Sequence, residues 1–450
     1  MARTFDVAEL IGAQRFAAFQ FRIVLLCGLV QFLDGFDTQA LAYAAPALRQ
    51  AWHLSPTALG TVFGFGAFGT GIGSVVLSPL ADRFGRKKIM VVAVTLFGLL
   101  TLLTVTLTSI DQLLILRPLT GFGLGAALPL TFVVANEFAP TRMRARMVAF
   151  MACGFAVGAA SGGLLQAEML PYFGWQGIFY VGGLFPLVLA ATLLLFLPES
   201  IRFLATKRGT SKEIARALKK MDPRLAFPSD AEFVLPAEPK KDGFRPAQLF
   251  AQGRARMTIL LWFIYLVMLA SLNTLNNWLP VALNMAGLSG QQAVRITTLF
   301  QFGGIAGVLL FGIVADRIGY NRVLVLAFIG LAVFVAATGS VGSSAILLAL
   351  AVTGTGFCLV GANNTLNAFA TTLYPTEIRS TAVGWGGSFG RFVGGFGPIL
   401  GGILLHDLPL RTVFFIFAIP AVCGAVAVVA MSRARPVNDA VVAVSADARA

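Results

Sequence analysis

The sequence predicts an all-α protein that crosses a membrane about twelve times, and three observations carry that prediction. The mean hydropathy is +0.82, and 12% of the 450 residues are charged against 57% hydrophobic, a balance far from that of soluble globular chains. Apolar runs of about 20 residues, long enough as helices to span a hydrocarbon core of roughly 30 Å, recur along the whole chain between short polar turns. The basic residues, finally, are sorted between alternate turns.

The runs fall at 22–45, 57–80, 89–108, 113–136, 146–168, 176–198, 257–284, 295–314, 323–340, 346–371, 381–404 and 411–432. The first is too long for a signal-peptide core and lacks a small-residue cleavage site, so it reads as a membrane helix. Of the 34 Lys and Arg, Arg49, Arg295 and Arg411 fall in loops on one side, Arg117 and Arg391 fall inside spans, and the other 29 fall on the opposite side. That skew places both termini and the long central loop in the cytoplasm. It also accounts for the net charge of +14 without a nucleic-acid partner. Cys27, Cys153, Cys358 and Cys423 sit singly inside spans, as small apolar packing residues rather than a disulfide framework or metal site.

Residues 199–256 interrupt the pattern with a polar, basic, Pro-bearing stretch containing one amphipathic helix near 211–221. The expected organisation is therefore a six-helix bundle over 1–198, a cytoplasmic linker over 199–256, and a second six-helix bundle with a short tail over 257–450. The bundles repeat one another. SPLADRFGRKK (78–88) and GIVADRIGYNR (312–322) share an A-D-R-x-G core at an offset of 234, and APTRMRARM (139–147) matches YPTEIRSTA (374–382) at 235. Two loops matching at nearly one offset indicate parallel six-helix repeats, a transporter architecture.

The loop LADRFGRKK (80–88) resembles the signature of the major facilitator superfamily, and RPLTGFGLGAALP (117–129) is similar to its fourth-helix motif. With DGFD (34–37) in the first helix, the chain most resembles the aromatic acid:proton symporter branch, over essentially its whole length. The resemblance implies proton-coupled uptake of a benzoate- or hydroxybenzoate-like anion across the bacterial inner membrane. It implies no cofactor besides the coupling proton, and a monomer in the lipid bilayer. It also implies a gate in the second-to-third loop, formed by Asp82, Arg83, Gly85 and Arg86 and repeated at Asp316, Arg317 and Gly319. There Asp82 docks at the start of the eleventh helix, where exposed N–H groups favour an anion. Glu137, Arg144, Glu377 and Arg379, at neighbouring cytoplasmic helix ends, are candidates to complete charge pairs that break as the halves rock. The sequence departs from the family at Ser78, where glycine is usual, and loses basic residues at Tyr320 and Asn321, which weakens the expected C-terminal lock.

An ionisable side chain near the bilayer centre costs about 2.5–3.5 kcal/mol on insertion scales, so those present should face a cavity or a partner. Asp34 and Asp37, three residues apart on one helix face, cannot both ionise cheaply, and they are the candidate proton-coupling pair. His53 and His406 fall in outer loops, which leaves carboxylates to carry the proton. Arg391 and Arg117 can grip a substrate carboxylate through paired hydrogen bonds, although Arg117 can equally pair with an aspartate. Gln39 and Tyr43 in the first helix, Asn276 and Trp278 in the seventh, and Asn363 and Asn364 in the tenth are further candidates to line the path, each equally able to bond another helix.

Three glycine-rich stretches match motifs of other chemistries without the context those chemistries need. GFGAFG (64–69) has the G-x-G-x-x-G spacing but follows no strand, so it reads as helix packing. GGSFG (386–390) would need a histidine near Ser388, and His406 lies about 24 Å away along a helix. GFAVGAASGGLL (154–165) has the glycine spacing of the superfamily's antiporter motif but carries Ala159 where proline is typical, which favours symport over a drug antiporter. Uptake of a non-aromatic acid and a transport-dead sensor are the other readings. A membrane enzyme finds no catalytic constellation.

Overall fold

The computed structural model describes residues 4–14, 16–207, 209–222, 224–225, 227–228, 232–234, 248–251, 253–374 and 378–433. A short strand β1 (Thr4–Asp6) and helix α1 (Val7–Ala13) precede the long helices α2 (Ala18–Trp52), α3 (Pro56–Phe84), α4 (Arg86–Leu103), α5 (Ile110–Phe138), α6 (Arg144–Phe173) and α7 (Gly177–Phe196). Then come α8 (Ile201–Ala205), α9 (Ser211–Met221) and β2 (Glu232–Val234), followed by α10 (Ala255–Met285), α11 (Gly290–Ile318), α12 (Tyr320–Thr338), α13 (Ala345–Leu373), α14 (Arg379–Gly394), α15 (Phe396–Asp407) and α16 (Leu410–Arg433).

Among the described residues, eleven stretches are long and apolar enough to cross a membrane. One of them, Ala149–Phe196, holds both α6 and α7, which part at a tight turn where Gly174 takes φ +60°. The chain is thus an all-α polytopic membrane protein. The span expected at 381–404 is broken into α14 and α15 at Gly395. Pro398 has no N–H to offer the carbonyl of Gly394, so the ladder loses that bond, and the Gly395 N–H is shared between the Arg391 carbonyl at 3.1 Å and the Phe392 carbonyl at 3.3 Å.

The chain packs as two compact units, Met1–Lys240 with Leu279–Asn284 and Ser289–Thr298, and the remainder. In the first unit α2 pairs with α6, α3 with α5 and α4 with α7. Glycines make these approaches close: a Cβ on Gly35 would stand 2.0 Å from the Phe155 carbonyl oxygen, and one on Gly158 would stand 1.8 Å from that of Phe32. Backbones this near each other gain the dispersion contacts that hold membrane helices together where lipid removes any hydrophobic drive. Gly154, Gly158 and Gly162 of GFAVGAASGGLL are therefore engaged in packing α6 on α2, and Gly66 and Gly69 of GFGAFG in packing α3 on α5.

The repeat extends to these contacts. Cβ atoms on Gly69, Gly73 and Gly121 would meet the carbonyls of Pro118, Phe122 and Gly66, at 2.1, 2.0 and 2.3 Å. In the second unit, Gly303, Gly307 and Gly356 would meet those of Thr353, Phe357 and Phe300, at 2.2, 2.1 and 2.0 Å. Each partner is displaced by 234 or 235 residues, the offset of the matching loops.

Much of the polar stretch after α7 is folded onto the first unit. Ile201 and Leu204 of α8, Ile214, Leu218 and Met221 of α9, and Phe233 of β2 join one core with Val7, Ile11 and residues of α2, α3, α4, α5, α6 and α7. β1 pairs with β2 in parallel, Phe5 opposite Phe233.

Candidate functional site

The middle of α2 is buried on most of its circumference, with Thr38 exposed, because α5, α6 and α7 pack against it, and this is where the two aspartates lie. Asp34 is 5% exposed and Asp37 fully buried. Asp37 has partners on two other helices. Thr101 of α4 donates its hydroxyl to Asp37 Oδ1 at 2.6 Å. From α5, Arg117 places Nη1 3.5 Å from Oδ2, and its Nη2 donates to the Asp37 main-chain carbonyl at 3.0 Å. Gly66 of α3 makes room for the arginine stem, since a Cβ there would stand 3.2 Å from Arg117 Cγ. A buried guanidinium opposite a buried carboxylate is stabilised by that pairing, and either one alone would be strongly unfavourable.

Other polar groups of α2 also reach across helices. Gln31 Nε2 donates to Thr131 Oγ1 at 2.5 Å. Tyr43, fully buried, donates its hydroxyl to the Ala159 carbonyl of α6 at 3.0 Å. Gln39 is buried on the same helix.

The second unit holds the other arginine. On α14, the exposed residues form two stripes: Gly384, Ser388 and Arg391 on one, Trp385, Phe389 and Phe392 on the other. The aromatic stripe suits lipid, and Trp262 of α10 stacks on it at 5.3 Å from Phe389. A stripe that carries a guanidinium is costly against lipid and suits a polar surrounding. Arg391 lies in the last turn of α14, next to the break at Gly395. Tyr265 of α10 is buried and donates to Asn367 Oδ1 at 2.9 Å. Asn276 Oδ1 accepts from Gln301 Nε2 at 3.3 Å. Trp278 is buried with its indole donating to the Pro398 carbonyl at 2.8 Å, beneath Gly401. Asn363 is partly buried, and the exposed Asn364 donates to the Val360 carbonyl of its own helix at 3.2 Å.

At the α3–α4 loop, Gly85 turns the chain at φ +111°, and Arg86 pairs with Asp82 at 2.9 Å and with Glu137 of α5 at 3.5 Å. Ser200 donates its hydroxyl to Glu137 and also accepts the Phe203 N–H that starts α8. Glu199 Oε1 accepts the N–H of Lys87 at 3.1 Å, so a carboxylate caps the first turn of α4. Arg83 lies over the Phe84 ring. In the second copy Gly319 repeats the positive φ, at 86°. Asp316 and Arg317 are exposed, and among the described residues neither makes an ion pair. Arg379 is exposed at the start of α14 and Arg144 is the first residue of α6, while Glu377 lies outside the described residues.

Thr101, Tyr265, Glu199 and Ser200 escape sequence reasoning. A lone threonine or tyrosine in an apolar helix gives no signal of its own. Glu199, by contrast, directly follows a membrane span and faces the basic run Arg86–Lys88, which is a readable cue. No group of three or more potential metal ligands occurs among the described residues.

A duplicated set of long apolar helices, with a buried charge pair in the first unit, defines a polytopic membrane protein. The Major Facilitator Superfamily profile matches residues 27–296 and 261–448, and the chain belongs to that superfamily: it is a transporter and not an enzyme. It is 39% identical to the gallate transporter of Pseudomonas putida over 96% of both chains. It is 38% identical to the 4-hydroxybenzoate transporter PcaK of Pseudomonas aeruginosa over 89% of both. Among solved structures, the D-xylose-proton symporter superposes with a TM-score of 0.73 at 18% identity, covering 93% of this chain and 98% of that one.

Proposed function

We propose that this protein imports a small aromatic carboxylate, of the benzoate or hydroxybenzoate kind, together with protons across the bacterial inner membrane, with both termini in the cytoplasm. The observation that carries the reading is the buried Asp37–Arg117 pair on α2 and α5. A proton arriving at Asp37 removes the negative partner of Arg117, and the guanidinium is then free to hold the carboxylate of the substrate. Arg391, on the polar stripe of α14, offers a second guanidinium. Asp34, on the same helix as Asp37, is the second candidate proton site. Alternating access of the two repeated halves then carries proton and anion inward together. Coupling requires that the proton change the affinity for substrate between states, which competition for one guanidinium supplies.

The relatives named for gallate and 4-hydroxybenzoate transport support an aromatic substrate. Ala159, where antiporters typically have proline, weighs against a drug antiporter. The gate at Asp82–Arg86 and Glu137 is proposed to lock the cytoplasmic end in one state. No organic cofactor or metal enters the proposal.

The test is uptake of labelled gallate, 4-hydroxybenzoate, benzoate and an aliphatic acid into proteoliposomes, with and without an inward proton gradient. Gradient-dependent accumulation of one or more aromatic acids is expected. Accumulation that survives collapse of the gradient would refute proton coupling, and uptake of the aliphatic acid alone would refute the aromatic assignment.

A further inference from the structure

We propose that Thr101 is a positioning residue for Asp37, holding its side chain by one hydrogen bond whether the carboxyl is ionised or protonated. The inference rests on the proton-coupled reading above and adds to it a residue on a third helix. Thr101 is fully buried, and its hydroxyl lies 2.6 Å from Asp37 Oδ1. Its methyl lies toward α7, where a Cβ on Gly182 would stand 3.4 Å from Thr101 Cγ2. With the methyl on that side, the hydroxyl is aimed at Asp37 of α2.

The direction of that hydroxyl is unusual for this molecule. Thr104, Thr120, Thr297, Thr298, Thr355 and Thr365 each return the hydroxyl proton to the carbonyl four residues back on their own helix. This is the default for threonine in a membrane helix. Thr101 crosses to another helix and to a carboxylate.

The chemistry gives that contact a purpose that Arg117 cannot serve. A guanidinium only donates, so it favours the ionised carboxylate alone. A hydroxyl both donates and accepts. When Asp37 takes up a proton, the Thr101 oxygen can accept the new O–H, and its own proton can pass to the Phe97 carbonyl in the manner of the other threonines. Asp37 then stays in place while Arg117 is released.

Few other charged or titratable groups bear on Asp37. α2 itself contributes Asp34 and, further along, Tyr43, and α5 contributes Arg117. By sequence, α3 carries its charges at 82 and 83, α4 at 86–88, and α6 at 144, 146 and 168. α7 offers only the half-exposed Tyr180.

The test uses the full-length protein in proteoliposomes, with uptake of labelled gallate and 4-hydroxybenzoate measured from roughly pH 5 to 9 for wild type, T101V, T101A, T101S and D37N. The bond that Thr101 donates to the ionised carboxylate is charge-assisted and stronger than the neutral one it accepts from the protonated carboxyl, so T101V and T101A should each move the midpoint of the pH profile to higher pH by about one unit. T101S, which keeps the hydroxyl, should restore the wild-type midpoint. T101A serves where the added methyl of T101V crowds Oδ1 and impairs folding. A merely structural threonine would lower thermal stability in these variants without moving the midpoint. A wild-type midpoint in T101V or T101A overturns the proposal. If D37N is inactive at the same time, the proton reading stands and Thr101 alone is removed from it. If D37N still accumulates substrate against a gradient, the proton reading fails and the role of Thr101 fails with it.

Discussion

Arg117 reaches Asp37 at two points, by charge to the carboxylate, with Nη1 3.5 Å from Oδ2, and by a hydrogen bond from Nη2 to the main-chain carbonyl at 3.0 Å. The first contact disappears when the carboxylate is neutralised and the second does not. The guanidinium therefore has a resting place that does not depend on the proton, so it can change partners without leaving the site.

Removing the guanidinium strands a buried charge. Arg117→Gln should lower stability by about 3–5 kcal/mol, and the double variant Asp37→Asn with Arg117→Gln should recover much of that loss while remaining inactive in transport. Thermal unfolding in detergent and proteoliposome uptake read the two effects separately. A single variant as stable as wild type would show that the pair is not a desolvated ion pair.

The contact between α2 and α6 leaves no space for a side chain. Gly158→Ala puts a methyl 1.8 Å from the Phe32 carbonyl oxygen, and should cost at least about 1–3 kcal/mol because backbone, unlike a flexible side chain, cannot move aside. Gly71→Ala, with nothing within 4 Å, should be neutral or mildly stabilising. Melting temperatures of the two variants check this, and equal losses would contradict the packing.

If the repeat is physical as well as textual, equivalent glycines should fail alike. Gly73→Ala and Gly307→Ala meet the Phe122 and Phe357 carbonyl oxygens at 2.0 and 2.1 Å. Their losses should agree to within about 1 kcal/mol. A loss in only one of them, measured by the same unfolding assay, would separate the two halves energetically.

Ser200 joins the α8 cap to Glu137. Ser200→Ala should cost about 0.5–2 kcal/mol, the usual range for a lost helix cap, and Ser200→Thr should cost less. An alanine variant with unchanged unfolding would show that α8 starts without help from this hydroxyl.

Several features of the site are legible in the sequence because they break a rule. Asp34, Asp37, Arg117 and Arg391 stand out because charge is expensive in lipid, and the matched loops at 234 and 235 expose the repeat. GFGAFG follows no strand, which points to packing, and the close α3–α5 contact agrees. Other features break no rule. Thr101 and Tyr265 are ordinary residues in apolar helices, and only the rotation of α4 and α10 decides that they meet Asp37 and Asn367. Trp278 and Tyr43 are candidates for the path by residue type, and their polar atoms bond the Pro398 and Ala159 carbonyls.

By itself the sequence determined that this chain is a membrane protein of repeated helices with carboxylates and guanidiniums at depth, because hydropathy and the cost of burying charge act locally and leave their mark in composition and spacing. Only the tertiary structure decided which of those charges are partners. Helix rotation and close approach at glycines put Arg117 beside Asp37, aim Thr101 at the same carboxylate, and set Arg391 on an exposed polar stripe apart from its aromatic neighbours. Those are long-range packing outcomes, and no local run of residues encodes them.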